Sequence, residues 1–298
     1  GLDLGAHAAA GRYTVVASND ATGCLDTMSN SIDVVIDPKP TAYSVSVTGG
    51  GSYCMGGAGQ HIKLSGSNTG ITYDLLDNTG AIAGSMPGTG TTLDFNAYTT
   101  AGTYTILATD MSMATRCTNN MTGNAIISVL PLPDAYPVTG GGSFCAGGSG
   151  VPVKMNGSHI GVKYQLYQNG TTAIGSPLNG TGSVLNFGLQ SSAGNYTIVA
   201  TSQVTHCSND MSGSATVSVN PLPAIYYVTG GGTYCTGGSG VHIGLSGSDL
   251  GQRYQLYKGS APVGSAVPGS GTAIGFGLVT GAGSYSVRAL DNATPCTS

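Results

Sequence analysis

Charge is what this 298-residue sequence has least of. Lys and Arg number 9 and Asp and Glu 13, so charged residues make up 7% of the chain, against about a quarter in an average soluble protein. A surface that displaces counterions from phosphates needs clustered cations, so nucleic acid is excluded as a partner. Tryptophan is absent and phenylalanine occurs four times. No apolar run reaches the ~18 residues of a helical span, so no membrane insertion is expected. No segment carries a 3.6-residue apolar period, and 50 glycines would weaken helix interiors. Also missing are a Gly-x-Ser-x-Gly elbow, a His-Glu-x-x-His pair, a phosphate loop and an Asp-x-Asp-x-Asp-Gly calcium loop. No catalytic residue, cofactor or metal site is therefore expected, and the chain reads as a non-enzyme. It opens at Gly1 without Met or a charged and apolar leader, which suggests a removed signal or a window cut from something longer.

What is present is repetition. Val47-Thr48-Gly49-Gly50-Gly51-Ser52-Tyr53-Cys54 returns at Val138 to Cys145, with Phe144 for Tyr, and at Val228 to Cys235, giving periods of 91 and 90 residues. Ala-Gly-x-Tyr recurs four times, ending at Tyr13, Tyr104, Tyr196 and Tyr285. Between repeats stand Asp37-Pro38-Lys39-Pro40, Leu130-Pro131-Leu132-Pro133 and Asn220-Pro221-Leu222-Pro223, whose paired prolines favour extended, semi-rigid joints. The expected domains are the C-terminal part of a repeat at 1–40, full repeats at 41–133 and 134–223, and a repeat lacking its last strand at 224–298. The incomplete ends fit a window in a longer array, or subunits completed by strand exchange.

Within a repeat, apolar residues alternate over short stretches bounded by Gly, Asn and Ser. Val151, Val153 and Met155 alternate, as do Tyr164 and Leu166, Leu185 and Phe187, Tyr196, Ile198 and Ala200, and Ala215, Val217 and Val219. This period of two marks half-buried strands. Six or seven of them per ~90 residues predict an all-β, antiparallel, immunoglobulin-like sandwich in tandem. Tyr13, Tyr104, Tyr196 and Tyr285 look like the corner tyrosines of such domains, although no Cys follows two residues later.

Seven cysteines fall at two repeat positions: a front one (Cys54, Cys145, Cys235) and a back one (Cys24, Cys117, Cys207, Cys296). Separations of 63, 62 and 61 residues suggest the pairs Cys54–Cys117, Cys145–Cys207 and Cys235–Cys296. Each would be worth roughly 4 kcal/mol by loop-closure entropy. Cys24 is left over. Disulfides imply an extracellular or cell-surface setting.

The histidines carry little. His61 and His242 share a repeat position, but Pro152 occupies it in the middle unit, and His7, His159 and His206 have no counterparts. Asn-x-Ser/Thr triplets at Asn120, Asn156, Asn169, Asn179, Asn195 and Asn292 are candidate N-glycan sites. Asp26-Thr27-Met28 resembles an O-glycosylation acceptor, with Thr27 as the residue modified. Attached sugar would hydrate a surface so poor in charge. Tyr167 and Tyr257 share a repeat position and could stack on polysaccharide; Asp77 stands nearest to that place in the second unit.

With Val-Thr-Gly-Gly-Gly-x-Tyr-Cys, Ala-Gly-x-Tyr and Pro-Leu-Pro recurring in order, the whole chain resembles the tandem immunoglobulin-like repeats of very large secreted and cell-surface bacterial proteins that build adhesins and extracellular fibres. That resemblance implies a structural, glycosylated building block whose partners are its own copies or neighbouring repeats. The alternatives are a carbohydrate-binding array on the cell surface and a pilus subunit polymerised by donor-strand exchange.

Overall fold

The computed structural model describes residues 1–112, 114–291, 293–294 and 296–298. Two compact units make up the chain, Gly1–Pro131 and Leu132–Ser298. Among the described residues the regular elements are strands, with one 3-10 turn at Thr48–Gly51.

Segment 1–40 supplies β1 (Gly11–Tyr13), β2 (Val16–Ser18), β3 (Leu25–Thr27) and β4 (Ile32–Val34). Segment 41–133 supplies β5 (Val45–Val47), β6 (Ser52–Cys54), β7 (Gln60–Leu64), β8 (Ile71–Leu76), β9 (Ile82–Pro87), β10 (Leu93–Tyr98), β11 (Gly102–Asp110), β12 (Thr118–Asn120) and β13 (Ala125–Leu130). Segment 134–223 follows with β14 (Val138–Gly140), β15 (Gly142–Cys145), β16 (Val151–Met155), β17 (Val162–Gln168), β18 (Thr172–Asn179), β19 (Leu185–Gln190), β20 (Gly194–Ser202), β21 (Ser208–Asp210) and β22 (Ala215–Asn220). Segment 224–298 ends the chain with β23 (Val228–Gly230), β24 (Val241–Leu245), β25 (Gln252–Lys258), β26 (Ala261–Pro268), β27 (Ile274–Val279) and β28 (Tyr285–Asp291).

In 41–133 one sheet runs β10-β7-β5 and the facing one runs β6-β13-β11-β8-β9; segment 134–223 repeats both orders as β19-β16-β14 and β15-β22-β20-β17-β18. This is an immunoglobulin-like sandwich, its strand pairs antiparallel apart from β6 with β13 and β15 with β22, and with isolated parallel bridges at Ser44–Thr122 and Pro137–Ser212. Segment 224–298 keeps β23-β24-β27 and β26-β25-β28, and has no counterparts of β15 and β22 among its described residues. In 1–40 the ladders are β1-β4 and β2-β3.

The alternating residues close the cores. Ile62, Leu64, Tyr73, Leu75, Tyr104, Ile106, Ala125 and Ile127 are buried together, and Val153, Met155, Tyr164, Leu166, Tyr196, Ile198, Ala215 and Val217 fill the next sandwich. Val219 keeps the alternation but is 37% exposed, because it lies opposite Phe144 near the end of the β15–β22 pair. With no tryptophan to fill the centre, Tyr73, Tyr164 and Tyr254 do so, fully buried on β8, β17 and β25. Each hydroxyl accepts a backbone N–H, from Asn68 at 2.9 Å, His159 at 2.9 Å and Asp249 at 2.8 Å, so the polar end of the ring is satisfied without water.

The glycine triplets do more than turn. Gly140, Gly141 and Gly142 all have positive φ (94°, 74° and 119°), and side chains on the first two would strike the carbonyls of Pro152 and Thr216. There the chain leaves β14 in one sheet and enters β15 in the other. Only glycine passes so close to both backbones. The crossing fixes where the following cysteine lies.

Candidate functional site: a cysteine pair across a proline junction

The register of β15 places Cys145 opposite Asn220, the residue before Pro221-Leu222-Pro223. Cys145 is therefore at the trailing pole of its sandwich, where the chain departs for the next segment. Cys207 is at the other pole. It closes the hairpin at the end of β20, where the Ser202 N–H donates to the Cys207 carbonyl at 2.9 Å. β20 begins at Gly194 opposite Val217 and runs antiparallel to β22, so its far end is about 27 Å away at a strand rise of ~3.4 Å. A disulfide needs Cα atoms within about 7 Å.

The pairings expected within repeats are thus corrected. Cys145 is bonded to Cys296, with Cα atoms 5.5 Å apart and 151 residues between them in sequence. Cys54 and Cys207 are also disulfide-bonded, while Cys117 and Cys235 are free thiols, as is Cys24. Pairing within a repeat needs the start of the second strand and the end of the penultimate one to share a pole. β7 and β11 instead run in the same direction, because β7 opposes β5, β11 opposes β13, and β6 links the two sheets parallel to β13. The start of one and the end of the other therefore lie at opposite poles.

The two earlier proline junctions are held by hydrogen bonds instead. Asn209 Nδ2 donates to the Pro133 carbonyl at 2.8 Å, as Asn119 Nδ2 does to Pro40 at 2.8 Å. Both asparagines stand two residues after a back cysteine, a regularity readable in the sequence as Cys-x-Asn and missed there. Cys117 Sγ itself lies 3.7 Å from the Asp37 carbonyl.

The four Ala-Gly-x-Tyr tyrosines make one contact. Their hydroxyls donate to the carbonyl four residues upstream: Tyr13 to Ala9 at 2.9 Å, Tyr104 to Thr100 at 3.0 Å, Tyr196 to Ser192 at 2.9 Å and Tyr285 to Gly281 at 2.6 Å. Burial pushes the phenols of Tyr104 and Tyr196 above their ordinary pKa. Three further phrases of the same kind escaped the sequence reading. Ser67, Ser158 and Ser248 are buried and donate at 2.6 Å to the carbonyls of Thr91, Ser183 and Thr272. Each follows a glycine whose missing side chain makes room for Tyr43, Tyr136 or Tyr226.

Asn120, Asn156, Asn169, Asn179, Asn195 and Thr27 are exposed; Asn292 lies outside the described residues. Asn169 and Asn195 are neighbours, the Asn195 N–H donating to Asn169 Oδ1 at 3.0 Å. Tyr167 and Tyr257 occupy one position on β17 and β25, and its register counterpart on β8 is Leu76 rather than Asp77. One face of Tyr257 is taken by the Arg288 guanidinium, 4.8 Å from the ring centre. Asp77 is a turn residue that accepts from the hydroxyl and N–H of Thr79, which hold its carboxyl below the ordinary pKa.

His61 is exposed and its Nδ1 lies 2.9 Å from Asp94 Oδ1, with Lys63 Nζ 3.6 Å from Oδ2. Asp94 lies opposite Lys63, and its counterparts in the next two segments, opposite Lys154 and Gly244, are Asn186 and Gly275, so the acidic partner is not repeated. No cluster of three or more His, Cys, Asp or Glu able to hold a metal is found among the described residues, and no described helix is long and apolar enough to cross a membrane.

No protein-family model matches the chain, and neither does any curated protein. Among solved structures, similarity is found to the human OSCAR ligand-binding domain at 12% identity, covering 60% of this chain and 98% of that one, with a TM-score of 0.27. The FN1–FN3 domains of chicken CNTN1 match at 11% identity over 85% of this chain and 92% of that one, with a TM-score of 0.26. The four N-terminal Ig domains of Dscam1 isoform 4.44 match at 12% identity over 95% and 79%, with a TM-score of 0.20.

Proposed function

We propose that the protein is a non-enzymatic building block of an extracellular bacterial filament or adhesin stalk. The observation that carries this reading is the Cys145–Cys296 bond, which spans the Pro221–Pro223 junction and joins one sandwich to the next. A disulfide inside a domain protects that domain; one across a linker makes the linker resist bending and extension, which serves a stalk rather than a soluble receptor. Disulfides also require folding in an oxidising compartment, in keeping with a secreted or surface-exposed protein. An immunoglobulin-like fold hosts many functions, so the reading leans on the staple and on the repetition of the sequence.

On this reading the exposed acceptors Thr27, Asn120, Asn156, Asn169, Asn179 and Asn195 carry sugar, which supplies the hydration that 7% charge does not. Electron microscopy of the native assembly tests the main statement: beaded rods or fibres are expected, and isolated globules overturn it. Intact mass spectrometry tests the glycans, since a mass equal to the bare 29.5 kDa polypeptide removes them.

A further inference from the structure

We propose that the Cys145–Cys296 bond is a mechanical bypass: tension entering segment 134–223 is carried by β14, β15 and the disulfide, so residues 146–295 stay folded under a pull that would otherwise unravel them. The proposal deepens the filament reading and rests on it for the source of the tension.

A force applied to a cross-linked chain is borne by its shortest covalent route. Between Asp134 and Ser298 the backbone route is 164 residues long. The route through the disulfide is 11 residues to Cys145, one bridge with Cα atoms 5.5 Å apart, and two residues from Cys296 to Ser298. At a full extension of ~3.3–3.6 Å per residue, the first can be drawn out to about 550 Å and the second to roughly 50 Å.

The short route has little slack. It starts at the pole where Asn209 holds the Pro133 carbonyl. There the Ser212 N–H donates to the Tyr136 carbonyl at 3.1 Å and the Val138 N–H to the Ser212 carbonyl at 2.9 Å. From that point β14 and β15 run one after the other to Cys145, opposite Asn220 at the trailing pole. Both are strands, already near their full rise, and the one departure from a straight line is the crossing at Gly140–Gly142. A pull therefore reaches the disulfide almost at once.

The route is also gripped along its length. β14 pairs with β16 in one sheet and β15 with β22 in the other. Ladder bonds run across the strands, so tension along β14 and β15 loads them together in shear. What is spared lies inside the loop. Of the buried residues in the core of segment 134–223 only Val138 is outside it, and Ile243, Leu245, Tyr254 and Leu256 of the next segment are all within.

Single-molecule force extension of the 298-residue chain tests this. One attachment point is an azide-bearing residue in place of exposed Asp134, the other a tag after Ser298. The oxidised parent should lengthen by no more than roughly 50 Å, whereas Cys145→Ser, Cys296→Ser and the parent pulled in dithiothreitol should each release about 500 Å. A second pair of attachment points, replacing Thr171 and Ser260 in exposed turns inside the loop, should release about 200 Å from the oxidised parent, because 62 residues separate them by the route through the disulfide. A release of about 500 Å from the oxidised parent between Asp134 and Ser298 overturns the bypass. So does a reduced parent or a Cys296→Ser variant as inextensible as the oxidised parent. An internal pair that releases nothing at the same forces also overturns it, since sandwiches that resist unaided are not being shielded. None of these results bears on whether native material is fibrous, which microscopy decides separately.

Discussion

Cys145 shares a sequence repeat with Cys207 but is bonded to Cys296, in the segment beyond the proline pair. The cause is the glycine triplet three to five residues upstream of Cys145. By letting the chain change sheets, Gly140 to Gly142 turn β15 parallel to β22 and carry its cysteine to the pole from which the chain leaves. Closing 151 residues is worth about 5 kcal/mol by chain entropy. Cys296→Ser should therefore lower the thermal stability of the Leu132–Ser298 unit, while Cys24→Ser, at an exposed free thiol, should leave melting unchanged. Calorimetry of the two variants checks this, and equal melting of both with the parent contradicts it.

Tyr164 and Tyr196 are both fully buried, but their hydroxyls do different work. Tyr164 accepts the His159 N–H, and Tyr196 donates to the Ser192 carbonyl, each at 2.9 Å. Ser192 is exposed, so water can replace the lost donor in Tyr196→Phe, and the cost should be about 0.5–1.5 kcal/mol. In Tyr164→Phe the N–H loses its acceptor beside the core, and about 1–3 kcal/mol is expected. Urea unfolding of the two variants should rank them in that order; the reverse order would place the more important bond at the corner.

The sandwich was legible because its signals are local. Alternation picked out Tyr164, Leu166, Ile198 and Ala200, and all are buried; Ala-Gly-x-Tyr picked out four tyrosines whose hydroxyls reach the same upstream carbonyl. The disulfide partners were not legible, because front and back cysteines recur at a constant spacing whichever neighbour they join. A period of 90 residues cannot distinguish Cys207 from Cys296. Only the register of β15 on β22, set by the chain's change of sheet at the glycines, separates the two. Asn119 and Asn209 escaped for a related reason: a polar residue on a short strand reads as solvent-facing until its partner, the carbonyl of a preceding proline, is placed beside it.

Gly180 is a close-approach glycine rather than a turn glycine. A methyl group there would stand 1.9 Å from the His159 carbonyl oxygen, and Gly88 and Gly269 meet Asn68 and Asp249 in the same way. Since the obstacle is backbone, no rotamer change relieves it. Gly180→Ala should cost about 1–3 kcal/mol or more, as overpacking does. Gly161→Ala gives the comparison: at φ +82° with nothing nearby, it pays for conformation alone, about 1–2 kcal/mol. Denaturation midpoints showing Gly180→Ala harmless would mean that the loop bearing His159 moves aside freely.

Asp94 supplies the acid response. Partial burial raises its pKa, but the His61 ring, the Asn96 N–H and the charges of His61 and Lys63 outweigh that and hold the carboxyl below the ordinary 3.8. A carboxylate depressed in the folded state adds stability that is present above its unfolded pKa and lost as pH falls through the folded one. Asp94→Asn keeps a side-chain acceptor for the Asn96 N–H and removes the charge. The parent should therefore exceed this variant in stability near neutrality, and the gap should close as pH drops below 3.8. Because the cluster is solvent-exposed, with His61 and Asp94 side chains 47% and 42% accessible, salt should narrow the same gap at constant pH by screening. Urea titrations of both proteins across the acid range, with and without added salt, measure it; a gap that stays constant below pH 3.8 would show that Asp94 acts through the Asn96 turn and not through its charge.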